Sequence, residues 1–181
     1  MKYSDNAATQ HIDDAVLKHG PWLRNMLSLA MLYATFSKDP STGIGCVIFD
    51  DKWRIVGGGC NGLSRNSSDS AEILHNRDKK YPRVIHAEEN ALYNAAKSVE
   101  GCSAIITAPP CLGCLHRLDT NGIATIFYVE PSESFNKRWD QDEVVSEAND
   151  LGITLEAISR QSLGDTVERW YLDGTLVHCL E

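Results

Sequence analysis

From Pro21 onward apolar residues recur at Trp22, Met26, Leu29, Ala30 and Tyr33, a helical spacing whose stripe would face a core. Pro21 suits a helix start, because the N–H it lacks has no partner in the first turn anyway. Residues 37–43, SKDPSTG, have the composition of a turn-rich loop. Short apolar runs at 44–49 and 54–56 read as two strands joined by a tight turn at Asp50-Asp51-Lys52. The following Gly57-Gly58-Gly59 predicts a bulge or a close backbone approach. Residues 62–84 are polar and long enough to be a functional loop.

Beyond that loop, helical and extended patterns alternate. A helix is predicted over 86–97, a strand over 103–107, a helix over 111–119 closed by Asn121-Gly122, and a strand over 124–129. A third such helix, over 141–149, closes near Leu151-Gly152 and leads to a last strand over 153–158. An initial hairpin followed by alternating helices and strands implies an α/β fold, a three-layer α/β/α sandwich around a mixed sheet of about five strands. Neither an internal repeat nor a Gly/Ser- or Pro-rich linker interrupts residues 1–181, so a single domain is expected. Residues 1–20 read as a loosely attached lead-in, and the tail over 159–181 has no clear pattern.

Composition narrows the function classes. The formal net charge is -8, which argues against a long nucleic-acid partner but leaves room for a small basic pocket. The opening MKYSDNAATQHIDD has no apolar signal core, and the longest apolar stretch, 26–36, is too short to span a bilayer. No membrane association and a reducing, cytoplasmic setting are therefore expected. Of the six cysteines only Cys111 and Cys114 are closely spaced, which favours metal binding over a disulfide. Cys46, Cys60, Cys102 and Cys179 read as small buried hydrophobes.

The chemistry concentrates in HAEENA (86–91) and PPCLGC (109–114), each opening a predicted helix. Cys111 and Cys114, at i and i+3, share one face of a first turn and can reach one ion. Pro110 fits the helix start, and a helix N-terminus favours the thiolate that binds metal. His86 can add a neutral imidazole. Three protein ligands leave a fourth tetrahedral position open, as in catalytic rather than structural zinc sites. Two thiolates cancel the charge of Zn2+, so a nearby base is needed, and Glu88, two residues from His86, is the candidate catalytic residue. Glu89 reads as a helix-terminal acid, and Arg77, Lys79 and Lys80 as a solvated basic cluster. A non-catalytic zinc module is the bland alternative, but it has no use for Glu88.

His86-Ala87-Glu88 followed by Pro110-Cys111-Leu112-Gly113-Cys114 matches the H-x-E and P-C-x-x-C signature of zinc nucleobase deaminases. WLRNMLSLAMLYATFSKDPSTGIGCVIFD, Gly59-Cys60-Asn61-Gly62 and KYPRVIHAEENAL further resemble the deoxycytidylate deaminase family, over residues of about 22 to 129. The resemblance implies a cytidine-deaminase-like fold, Zn2+ on His86, Cys111 and Cys114, and hydrolysis of dCMP to dUMP and ammonia that feeds thymidylate synthesis. In such enzymes a zinc-activated water attacks the carbon bearing the amine, and the residue at Glu88 shuttles the protons. It also implies Ser37 and Lys38 near the substrate phosphate, Asn61 near the sugar, and the backbone of Ala87 and Pro110 along the base. A small-molecule nucleotide substrate and a homo-oligomer follow from the same source.

Several positions depart from the family pattern. Cys60 stands in place of tyrosine, Ser64 in place of proline, and Leu112 in place of a residue that is often polar. The family's Tyr-His pair after the fourth strand is replaced by PSESFNKRW, where Phe135 would stack on the base. These departures leave open a 5-substituted cytosine nucleotide as substrate. A polynucleotide-editing deaminase is the more remote alternative, disfavoured by the acidic charge.

Overall fold

The computed structural model describes residues 19–131 and 141–159. The lead-in up to residue 18, Phe135 and the tail beyond residue 159 lie outside them.

Helix α1 (Pro21–Ala34) begins with Pro21 after Gly20, which adopts φ 71°. Its core face is Leu23, Met26, Leu27, Ala30, Met31 and Ala34. That face is rotated from the expected stripe: Trp22 is 54% exposed. The segment carries apolar residues on more than one face, so its spacing specifies a helix without choosing which side the sheet will cover.

Strands β1 (Gly45–Phe49) and β2 (Ile55–Cys60) form the hairpin. Asp50 holds the turn: its Oδ1 accepts the Lys52 and Arg54 N–H groups at 3.1 and 3.0 Å, and its Oδ2 accepts from Arg54 Nε at 2.8 Å and Lys97 Nζ at 3.0 Å. The triple glycine lies inside β2 and follows directly on a register shift at Val56, where the partner of β1 jumps from Gly57 to Ile55, and the close approach is real. A methyl group at Gly57 would stand 2.4 Å from the Ala91 carbonyl oxygen, and one at Gly59 2.6 Å from the Ala91 nitrogen. Only glycine lets the helix that carries Ala91 lie so close to this strand.

The polar segment 62–84 contains more order than a loop. Two single-turn helices, α2 (Ala71–Leu74) and α3 (Arg77–Lys80), precede a 3₁₀ turn at Tyr81–Arg83. Asn76 caps α3, its side-chain oxygen accepting the Asp78 and Lys79 N–H groups. Then follow α4 (Ala87–Tyr93), β3 (Ser103–Ile106), α5 (Leu112–Thr120), β4 (Thr125–Val129), α6 (Gln141–Leu151) and β5 (Thr154–Ile158). Helix α4 stops short of the expected residue 97. Positive φ at Gly122 and Gly152, 80° and 74°, closes α5 and α6 where the sequence places their ends.

The five strands pair in the order β2-β1-β3-β4-β5. β1 runs antiparallel to β2 and β3, whereas β3, β4 and β5 are mutually parallel. Strand residues alternate between two cores. Cys46, Ile48, Ala104, Ile106 and Ile126 pack with the buried residues of α4, α5 and α6. Val47, Phe49, Ile105, Phe127, Val129 and Ile158 pack with α1. Helices on both faces of a mixed five-stranded sheet make the three-layer α/β/α sandwich that the pattern predicts. Among the described residues no helix is long and apolar enough to cross a membrane.

Candidate active site

The sheet register assembles the site. Antiparallel pairing of β1 with both neighbours sets Gly45 opposite Cys60 and Cys46 opposite Ile106. The start of β1 therefore meets the ends of β2 and β3. Gly45 N–H donates to Thr107 Oγ1 at 3.0 Å, and Thr107 N–H donates to the Gly45 carbonyl at 3.0 Å. Segments 42–44, 60–62 and 107–111 are thereby gathered at one edge, at the carboxyl end of β3, where α/β sheets place their ligands. A small bridge joins Gly62 to Ile85, with N–H···O distances of 3.0 and 2.8 Å, and delivers the next residue, His86, to the same edge.

His86 is the N-cap of α4, and Cys111 is the N-cap of α5. Pro110 thus stands before the cap rather than in the first helical turn. Cys114, one turn on, is buried. The Cys111 and Cys114 sulfurs lie 3.6 and 3.3 Å from His86 Nδ1. One ligand atom from each of the three residues falls within 4.8 Å of the others, and among the described residues this is the group that could hold a metal ion. One imidazole nitrogen and two sulfurs are a donor set that suits zinc, with a position left for substrate chemistry.

The three groups shift one another's protonation through their hydrogen bonds. Hydrogen bonds from Cys114 and His86 hold the Cys111 thiol down to about 4. The Cys111 sulfur in turn holds His86 up to about 9. Cys114 is pushed up by its hydrogen bond with the Cys111 sulfur and by burial. Glu88 is 4% exposed, and burial raises its carboxyl above the ordinary range.

Glu89 does more than favour the helix dipole. Its Oε2 accepts the His86 N–H at 3.1 Å, and its Oε1 accepts from Arg117 Nε at 2.9 Å. Arg117 Nη1 donates to the Gly113 carbonyl at 2.7 Å. One carboxylate and one guanidinium thus tie the His86 cap to the turn between the two cysteines. Outer contacts of this kind orient metal ligands, so Arg117→Ala is expected to lower zinc affinity by about tenfold. Competition with a chelator measures it, and an unchanged affinity would show the tie to be dispensable.

A cavity of about 490 Å³ opens beside the group, lined in part by His86, Ala87, Glu88, Cys111, Asn61 and Pro109. Its size is ordinary for a small-molecule site. The residues predicted along it meet different fates. Ala87 is in its wall; Pro110 is fully buried and outside the lining, which Pro109 supplies instead. Asn61 lines the cavity, but its side chain already accepts from Ile44 N–H at 2.7 Å and donates to the Thr42 carbonyl at 2.9 Å. Lys38 is mostly exposed, pairs with Asp69, and lines a neighbouring cavity of about 690 Å³. Ser37 lines neither; its hydroxyl accepts the Asp39 N–H at 3.2 Å.

Two sequence expectations fail nearby. Lys80 is not solvated but 3% exposed, its Nζ 2.8 Å from Asp39 Oδ1. Cys60 is half-buried and lines the neighbouring cavity, whereas Cys46 and Cys102 are buried as expected. Lys80, Asp39, Thr42 and Pro109 line the Glu88 cavity without having been expected there. Their contribution depends on which loops the sheet register juxtaposes, and chain spacing carries little trace of that.

Comparison with known proteins agrees with this geometry. A family model described as the cytidine and deoxycytidylate deaminase zinc-binding region matches residues 21–130. An uncharacterized deaminase in the luxG 3′ region of Aliivibrio fischeri is 38% identical over 126 residues, 70% of this chain and 84% of that protein. Human deoxycytidylate deaminase is 33% identical over 131 residues, 69% of this chain and 71% of its own length. The apo dCMP deaminase of cyanophage S-TIM5 shares the fold, with a TM-score of 0.59 at 19% identity over 75% of this chain and 95% of that one. The chain therefore belongs to the cytidine and deoxycytidylate deaminase family of zinc-binding hydrolases.

Proposed function

We propose that the protein hydrolyses the exocyclic amine of deoxycytidine monophosphate, releasing dUMP and ammonia and so supplying thymidylate synthesis. The observation that carries the reading is a buried carboxyl, Glu88, sharing a cavity wall with His86 and Cys111 of the nitrogen-and-sulfur group. Support for the base comes from the relatives named deoxycytidylate deaminase and from the S-TIM5 enzyme, described in complex with dCMP and dUMP. A homo-oligomer in the cytoplasm, acting on free nucleotide rather than polynucleotide, belongs to the same proposal.

His86, Cys111 and Cys114 would hold the zinc. Bound there, the ion supplies the Lewis acidity that makes water nucleophilic at neutral pH. Glu88 takes a proton from the attacking water as oxygen bonds to C4 of the base, and it gives that proton to N3. It next carries the second proton of the water to the amine, so that the C4–N bond breaks and neutral ammonia leaves. Burial raises this carboxyl above its ordinary range, which makes its carboxylate a stronger base toward the attacking water than an exposed one would be. The walls at Ala87 and Pro109 and the Asn61 side chain frame the base and sugar.

Ammonia release from dCMP, with deoxycytidine as the paired substrate, tests the reading. Turnover of dCMP well above deoxycytidine is expected. Zinc-loaded protein that turns over neither would sink it.

A further inference from the structure

Six polar residues lining the Glu88 cavity have no part in the deamination chemistry: Asp39, Ser41, Thr42, Arg77, Lys80 and Tyr81. Burial separates the floor of this cavity from its mouth. Glu88 and Ala87 are buried, whereas Arg77 and Tyr81 are exposed, so the reacting end lies deep and the guanidinium stands toward solvent. Lys80 is buried in the wall, and Asp39 answers its charge. Asp39 Oδ1 also accepts the Ser41 and Thr42 N–H groups at 2.8 and 3.3 Å, and Lys80 Nζ lies 3.5 Å from Ser41 Oγ. The ion pair thus pins the 39–42 loop so that two hydroxyl-bearing residues line the cavity.

Arg77 is in a different state. It makes no ion pair among the described residues, although its neighbour Lys79 is paired with Glu72. Lys38 is engaged with Asp69 and lines the adjoining cavity, which shares Asp39, Asn61 and Lys80 with this one, whereas Arg77 lines only the Glu88 cavity of the two. An uncommitted guanidinium at the mouth, and two hydroxyl-bearing residues on a loop pinned by the Lys80–Asp39 pair, fit an anion with several oxygens. The planar fork of arginine matches phosphate oxygens in pairs.

We propose that Arg77, with Lys80 beside it, forms the 5′-phosphate subsite of this cavity, and that residues 77–80 rather than Lys38 select nucleotide over nucleoside. The inference rests on the cytosine-nucleotide reading of the same site.

The test is calorimetric binding of dUMP and deoxyuridine to the full-length, zinc-loaded protein and to its Arg77→Ala and Lys38→Ala variants. The wild type should prefer dUMP. Arg77→Ala should cut dUMP affinity roughly 10- to 100-fold, the worth of a hydrogen bond to a charged group, and bring the two affinities together. Lys38→Ala should keep the preference. A preference kept in Arg77→Ala, or lost in Lys38→Ala, overturns the subsite, as does a wild type that binds no dUMP. The two readings separate cleanly. An Arg77-dependent preference without ammonia release from dCMP upholds the subsite and overturns the deamination. Ammonia release with a preference independent of Arg77 does the reverse.

Discussion

Replacing Glu88 by glutamine is expected to lower kcat for dCMP by about 100- to 10,000-fold while bound zinc stays at the wild-type level. Glutamine keeps the shape and some hydrogen-bonding capacity of the side chain but can neither take a proton from water nor pass one on. The metal-binding atoms belong to His86, Cys111 and Cys114, so their grip on zinc does not depend on the carboxylate. The loss should fall on kcat with KM changing little, because the missing interactions exist only along the reaction. Zinc analysis alongside steady-state kinetics measures both. Activity near wild type would remove Glu88 from the chemistry, and a parallel loss of zinc would make it a structural residue of the site.

Lys80→Met is expected to destabilise the fold by about 3–5 kcal/mol. Methionine preserves most of the apolar stem but leaves Asp39 buried with only backbone N–H partners. The side chains of the pair are 4% and 9% exposed, so water cannot replace the lost ammonium. Pairing the change with Asp39→Asn should recover much of the loss, because the amide oxygen can still accept from Ser41 and Thr42 while the charge is gone. Lys38→Ala provides the contrast. Its ion pair with Asp69 is solvent-exposed, and about 1 kcal/mol is the most it should cost. Urea midpoints of the four proteins decide the matter. A Lys80→Met loss as small as that of Lys38→Ala would mean that the pair behaves as a surface one.

Lys80 also shows where sequence reading loses its hold. Beside Arg77 and Lys79 it looks like one of three solvated cations, yet it alone is buried. The difference arises because α3 presents that position to the 39–42 loop, some forty residues earlier in the chain. Lys38 is the converse case. Family resemblance implies a phosphate near it, and its pairing with Asp69 in the neighbouring cavity is a placement that chain spacing does not specify. Helix α1 fails more gently, its existence plain and its buried face rotated, because a segment with apolar residues on more than one face gives periodicity little contrast.

By itself the sequence determined the alternation of helices and strands, hence a three-layer α/β/α fold, and the two short motifs that mark a zinc-binding deaminase. These are local properties: periodicity within an element, and ligand spacing across a single turn. Tertiary structure alone decided the strand order β2-β1-β3-β4-β5, which residues wall the cavity, and which lysine is buried in it. Each of those depends on pairing between distant segments. Antiparallel register between β1 and β3 brings Thr42 near Pro109, and close packing over Gly57 and Gly59 sets the position of α4. Such contacts are set by the packing of the whole sheet, which no local window of residues contains.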